Sequence, residues 1–143
     1  GEWALYMYDG SQWVEISNED SATVDAKTLS TSFTMPIGGF GTSTTTNLGN
    51  ISPGRKIQSV SVSVNTVFTG YTGAIIPNIE VGTISDPDAY HDDTDNDLTS
   101  SSTYMTNPEY TYPSTETQDQ LIRVRCNHYG ASAGNVTVKL TYI

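Results

Sequence analysis

Residues 56–68 read KIQSVSVSVNTVF, and the side chains alternate. Val60, Val62, Val64 and Phe68 share one parity; Ser59, Ser61, Ser63 and Asn65 share the other. A period of two predicts an antiparallel strand with one buried and one wet face. Residues 119–128 repeat the pattern, with Ile122, Val124, Cys126 and His128 on one side and Arg123, Arg125 and Asn127 on the other. The chain ends the same way: Val136, Val138, Leu140 and Tyr142 alternate with Thr137, Lys139 and Thr141. Shorter strands are expected at 28–34 (TLSTSFT), stopped by Met35-Pro36, and at 78–83 (NIEVGT), with Ile79 and Val81 inward. IGGFGTSTTTNLGN reads as a loop with one short strand inside it. Helical periodicity is almost absent.

Turn residues separate these strands, as Gly and Ala do in GASAG. Short alternating strands with frequent turns predict a sandwich or barrel. With no segment able to supply crossover helices, an α/β architecture is excluded. The expected fold is all-β: an antiparallel two-sheet β-sandwich, jelly-roll-like, over residues 28–143. WALYMYDGSQWVEIS adds an N-terminal β-hairpin appendage over residues 1–18, turning at Asp9-Gly10, a pair that tolerates positive φ. The polar residues 19–27 read as a linker.

Composition narrows the function. The 143 residues suit one domain with a modest core. Sixteen acidic against six basic residues give a formal charge of −10. Nucleic acid and anionic membrane surfaces are therefore not expected partners, since both are held by Lys and Arg. No apolar run is long enough for a membrane-spanning helix, so membrane insertion is not expected either. The one cysteine, Cys126, leaves no intrachain disulfide. The opening GEWALYMYDG has no signal-peptide pattern and no initiator Met. It reads as a processed product or as part of a longer polypeptide.

Candidate chemistry concentrates in residues 86–97, DPDAYHDDTDND. Asp93, Asp95 and Asp97 have the spacing of a calcium loop, but an EF-hand needs Gly and Glu where this chain has Leu98 and Tyr104. A different calcium site, drawn from Asp86, Asp88, Asp92, Asp93, Asp95 and Asp97, stays open. The favoured reading is a metal-free surface turn, closed by Asp and Asn side chains, with Asp86 capping a turn at Pro87. His91 has no second His or Cys nearby, which argues against a transition metal. A glycosidase needs an acid and a base facing each other across a sugar-sized cleft, and a crowded exposed run does not suggest one. Cys126 and His128 share a face, but neighbours on one side of a strand stand about 6–7 Å apart, too far for proton transfer. No catalytic residue and no cofactor is expected, calcium being the one open alternative.

The aromatic residues carry two further expectations. Trp3, Leu5, Tyr6, Met7, Tyr8 and Trp13 make the first hairpin too apolar to stand alone, and they read as an assembly interface. Tyr104, Tyr110 and Tyr112 read either as ligand-facing rings, for example toward a host-surface glycan, or as core and edge packing.

GEWALYMYDGSQWVEIS resembles the W-x-x-Y-x-G-x-x-W-x-x-I hairpins of tail fibres and other structural proteins of tailed bacteriophages. NIEVGTISDPDAYHDDTDNDLTSSSTY and the ending RVRCNHYGASAGNVTVKLTYI are similar to β-sandwich modules of the same particles. The resemblance rests on strand and turn patterns and not on reactive groups. It implies a non-enzymatic structural or adhesive protein on the virion surface, with an aquatic host such as a cyanobacterium. The expected role is a tail fibre or similar appendage that attaches to the host surface as a homotrimer, alongside other virion proteins. A capsid decoration or head-fibre protein is the second expectation, and a carbohydrate-binding module the third.

Overall fold

The computed structural model describes residues 5–8, 13–16, 25–38 and 41–143. In chain order the strands are β1 (Leu5–Tyr8), β2 (Trp13–Ile16), β3 (Lys27–Thr34), β4 (Ser43–Ile51), β5 (Lys56–Thr69), β6 (Asn78–Gly82), β7 (Thr103–Thr106), β8 (Tyr110–Thr111), β9 (Gln120–Asn127) and β10 (Ala133–Tyr142). β1 and β2 pair antiparallel with Tyr8 opposite Trp13. Four residues therefore separate the paired ends, where a tight Asp9-Gly10 turn would leave two. Trp3 and the turn lie outside the described residues, as does most of the expected linker.

The remaining strands form two antiparallel sheets. One runs β3-β10-β5-β7, with β8 also on β5; the other runs β4-β9-β6. Beyond β6, Val81 and His91 form a single antiparallel bridge. Counting that bridge as a vestigial strand, successive strands distribute between the sheets in the order of an eight-stranded jelly roll. The expected fold class is what the structure shows.

Alternation explains the layers. Val60, Val62, Val64, Val136, Val138 and Leu140 point from the first sheet into the core; Ile79, Val81, Ile122, Val124 and Cys126 meet them from the second. The opposite parity of the first sheet carries hydroxyl and amide groups. Ser32 bonds Thr137 (3.1 Å), Asn65 donates to Asn135 (2.7 Å) and Thr137 (3.0 Å), Asn135 donates to Thr34 (2.7 Å), and Thr103 donates to Ser63 (3.2 Å).

Two elements depart from the expectation. Residues 43–51 form a full nine-residue strand and not a loop with a short strand inside. Of its inward positions Thr44, Thr46 and Leu48 are only half-buried and Ile51, at its end, is fully buried, so the hydrophobic signal is weak over most of its length. β-branched threonines nonetheless suit a pleated surface, and pairing with β9 from Ser43 to Ile51 fixes the strand. In β5, Ile57 is buried although its parity is that of the serines. A bulge opposite Thr141 and Tyr142 adds one residue there and turns Ile57 inward.

Candidate functional site

The segment from Thr83 to Thr99 replaces a regular strand along the free edge of β6. It begins with a reversal. Thr83 N donates to Asp86 O (2.8 Å), Asp86 N to Thr83 Oγ1 (3.1 Å), and Ala89 N to Asp86 O (3.2 Å), which puts Pro87 at the second position of a turn. A Cβ on Gly82 would collide with the backbone of Asp86 and Pro87, so glycine lets this turn lie directly on the strand. The chain then touches β6: Val81 N donates to His91 O (3.0 Å) and His91 N to Val81 O (3.1 Å).

The acidic residues that follow mostly serve the backbone. Asp92, and not Asp86, is the helix cap. It precedes one 3-10 turn at Asp93–Asp95 and accepts from Thr94 N, while Asp95 Oδ2 accepts from Asp92 N (2.9 Å). This reciprocal box satisfies donors at both ends. Asn96 is buried and its amide acts as a stand-in strand. Its Oδ1 accepts from Ile79 N (2.8 Å) and its Nδ2 donates to Ile79 O (2.8 Å) and to Asp92 O (3.2 Å). Asp97 Oδ1 accepts from Thr99 N (2.8 Å). Leu98 is fully buried and tied to both sheets, through Pro77 O and Phe68 N.

His91 is 1% exposed. Its Nδ1 lies 2.9 Å from Thr106 Oγ1, whose own proton goes to Tyr90 O (2.9 Å). The hydroxyl must therefore accept, so Nδ1 carries the ring proton. The buried Nε2 has no hydrogen-bond partner among the described residues. Burial lowers the His91 pKa, and Asp95 and Asp92 oppose it. Asp92 and Asp93 hydrogen-bond each other and split: Asp92 is lowered and Asp93 raised. Asp88 is raised by its hydrogen bond to Asp86.

Among the described residues, no group of three His, Cys, Asp or Glu side chains is placed to hold a metal ion. Cys126 is fully buried and its thiol is pushed up to about 12 by burial, so it packs as a small hydrophobe. His128 is also buried; its Nδ1 accepts from Gly130 N (3.1 Å) and burial lowers its pKa.

The three tyrosines separate. Tyr112 is buried in the core and its hydroxyl donates to Gln118 O (2.9 Å), so that ring does not face a ligand. Tyr104 is half-buried against the core. Tyr110 is 40% exposed, and its ring centre lies 5.8 Å from that of Tyr90. These two rings, with Thr83, Asp86, Pro108 and Gln120, line an open groove of about 460 Å3. Tyr90, Thr83 and Gln120 are additions that sequence reading missed; the sole hint was Ala-Tyr-His interrupting an otherwise acidic run. On the outer face of the second sheet, Arg125 grips Glu80 through Nε (2.8 Å) and a terminal nitrogen (2.7 Å).

This jelly roll is of a kind found in phage capsids. A chain of the capsid asymmetric unit of cyanophage Pam1 superposes with a TM-score of 0.59 at 21% identity, covering 82% of this chain and 84% of that one. A chain of the acid-stable capsid of Helicobacter pylori bacteriophage KHP30 gives 0.55 at 14% identity, covering 82% and 86%. At these identities the likeness is one of fold. No family model and no curated protein matches the sequence.

Proposed function

We propose that this chain is a non-enzymatic structural subunit of a tailed-phage virion, seated on the outside of the capsid as a decoration protein. The observation that carries the reading is the superposition of most of the chain on chains from two phage capsids. Charge supports the outward position, since a subunit of net charge −10 is repelled by packaged nucleic acid.

The outer face of the first sheet suits the contact with the shell. Its outward residues on β3, β5, β10 and β7 are mostly Ser, Thr and Asn, with Lys56, Gln58, Val67, Ala133, Lys139 and Met105 as the exceptions and no carboxylate. Much of this face is already hydrogen-bonded to itself, so covering it leaves few polar groups unpaired. The apolar hairpin β1–β2 offers a second assembly element, and a trimer would place three copies of both around one axis.

The test is to separate heads from tails of the phage particle and quantify the chain in each fraction by mass spectrometry. Recovery with the heads is expected. Recovery with the tails overturns the capsid reading and returns the role to the tail-fibre expectation, which rests on the sequence resemblance alone.

A further inference from the structure

The groove beside Tyr110 has a use that a purely structural subunit does not need. We propose that it binds a neutral saccharide, held by stacking on Tyr110 and by hydrogen bonds to Asp86, Gln120 and Tyr90.

Size comes first. About 460 Å3 lies in the range of small-molecule sites, which runs from roughly 300 to 1,000 Å3. It is open along one side, as a groove must be to take one unit of a longer glycan. The lining chemistry is that of sugar recognition. A pyranose has apolar C–H faces and a rim of hydroxyls. Tyr110 offers an exposed ring at the wall, and Pro108 extends the apolar surface. Asp86 supplies acceptors, Gln120 a donor and an acceptor, and Thr83 a hydroxyl. Burial raises the Tyr90 pKa to about 12, so its phenol keeps its proton and can donate.

The aromatic wall is fixed in place. Tyr110 follows Glu109, a non-glycine residue at φ 53°, in the left-handed region. Such a conformation is strained for a non-glycine residue and persists where the surroundings hold it. Here Glu109 pairs with Lys56 at 2.8 Å and Tyr110 pairs with Ile57 of β5. The corner that sets the ring at the groove is thus tied to the long central strand.

Charge selects the class of sugar. Asp86 lines the groove, Asp88 lies two residues further on, and the chain as a whole carries −10. Sialic and uronic acids are repelled; neutral hexoses are not. Cleavage is not implied. A glycosidase needs two carboxyl groups across the bond, and Asp86 is the single carboxylate lining the groove among the described residues.

The experiment is saturation-transfer NMR on the whole chain with the methyl glycosides of glucose, galactose, mannose and N-acetylglucosamine, and with sialic acid as the acidic control. Transfer to the ring C–H protons of at least one neutral glycoside is expected, with none to sialic acid. Tyr110→Ala is expected to weaken binding roughly tenfold, a factor worth about 1.4 kcal/mol, while Tyr110→Phe retains it. Asp86→Asn reports on the hydrogen-bonding side, with a loss expected there too. Tyr110 is exposed, so a thermal melt is expected to show the Ala variant folded. Absence of transfer to all four neutral glycosides, equal transfer in Tyr110→Ala, or preference for sialic acid each overturns the proposal. The measurement uses the isolated chain, so it stands or falls separately from the head-and-tail fractionation.

Discussion

Asn96→Ala tests whether one side chain stands in for a strand. The Asn96 amide pairs with both backbone groups of Ile79, at 2.8 Å each, on the edge of β6 that faces away from β9. Alanine leaves the Ile79 N–H and C=O without those partners, next to a fully buried Ile79 side chain. Each stranded backbone group costs about 1–3 kcal/mol. Water entering from the loop side relieves part of that, so the lower half of the summed range applies, about 3 kcal/mol. For a chain of this size each kcal/mol moves the melting temperature by roughly 2–4 °C, and a drop of about 10 °C is expected.

The assay is urea unfolding followed by far-UV circular dichroism, which reads the strands of the sandwich, with thermal melts beside it. Asn107→Ala, at an exposed loop asparagine, is the control and is expected within about 0.5 kcal/mol of the parent. Asn96→Asp sharpens the test. An ionised carboxylate still accepts from Ile79 N but faces Ile79 O and Asp92 O, the two carbonyls to which the amide donates. The acid form is favoured there, which raises the folded-state pKa of the new group. Stability relative to Asn96→Ala should therefore be highest in acid and fall as pH rises through that pKa. If Asn96→Ala unfolds within about 0.5 kcal/mol of the parent, the amide is not standing in for a strand.

Further outcomes follow from other residues. Burial lowers the pKa of both His91 and His128, so below about 6.5 the unfolded chain takes up protons that the folded chain refuses; stability should fall as pH drops through that window, and His91→Gln should flatten the slope in pH-dependent urea titrations. Val124→Asp puts a charge at a fully buried site and should prevent folding, whereas Ser61→Asp, opposite Lys139 on the wet face, should be tolerated; circular dichroism reads both. Gly134 sits at φ 145° with the Phe68 ring against the place a Cβ would take, so Gly134→Ala should cost about 1–3 kcal/mol in the same urea assay. Removing residues 1–18 should leave a folded sandwich that no longer joins the particle, read by sedimentation with particles lacking the chain; normal incorporation of the shortened chain would refute the hairpin's assembly role.

The fold was legible where packing uses aliphatic residues. β5, β9 and β10 alternate Val, Ile and Leu with polar partners, and burial follows that alternation nearly residue by residue. β4 was not legible, because threonines occupy inward positions that a hydrophobic pattern assigns to aliphatics. The groove was less legible still. Asp86, Tyr90, Tyr110 and Gln120 come from three separate segments, and only the meeting of β8 with β5 and of the His91 bridge with β6 brings them together. Tyr112 shows the converse. It lies two residues from Tyr110, on the same parity, but β8 ends at Thr111 and the chain turns Tyr112 inward.

From Asp92 onward the acidic run closes the edge of a sheet. β6 needs a partner on its outer side, and the chain supplies one hydrogen-bonded bridge at Val81 and one side-chain amide at Ile79. A regular strand there would present its own free edge, ready to pair with another molecule. The 3-10 turn at Asp93–Asp95 ends the pairing instead, and its exposed carboxylates make approach by a second acidic copy unfavourable. Those charges repel each other only weakly, being screened within about 8 Å at physiological salt. If the chain coats a shell as proposed, an edge closed by charge and by a capped turn would keep contacts on the carboxylate-free face of the other sheet. Metal binding would draw on these same carboxylates, and several of them, Asp92, Asp95 and Asp97, are already committed to backbone N–H groups.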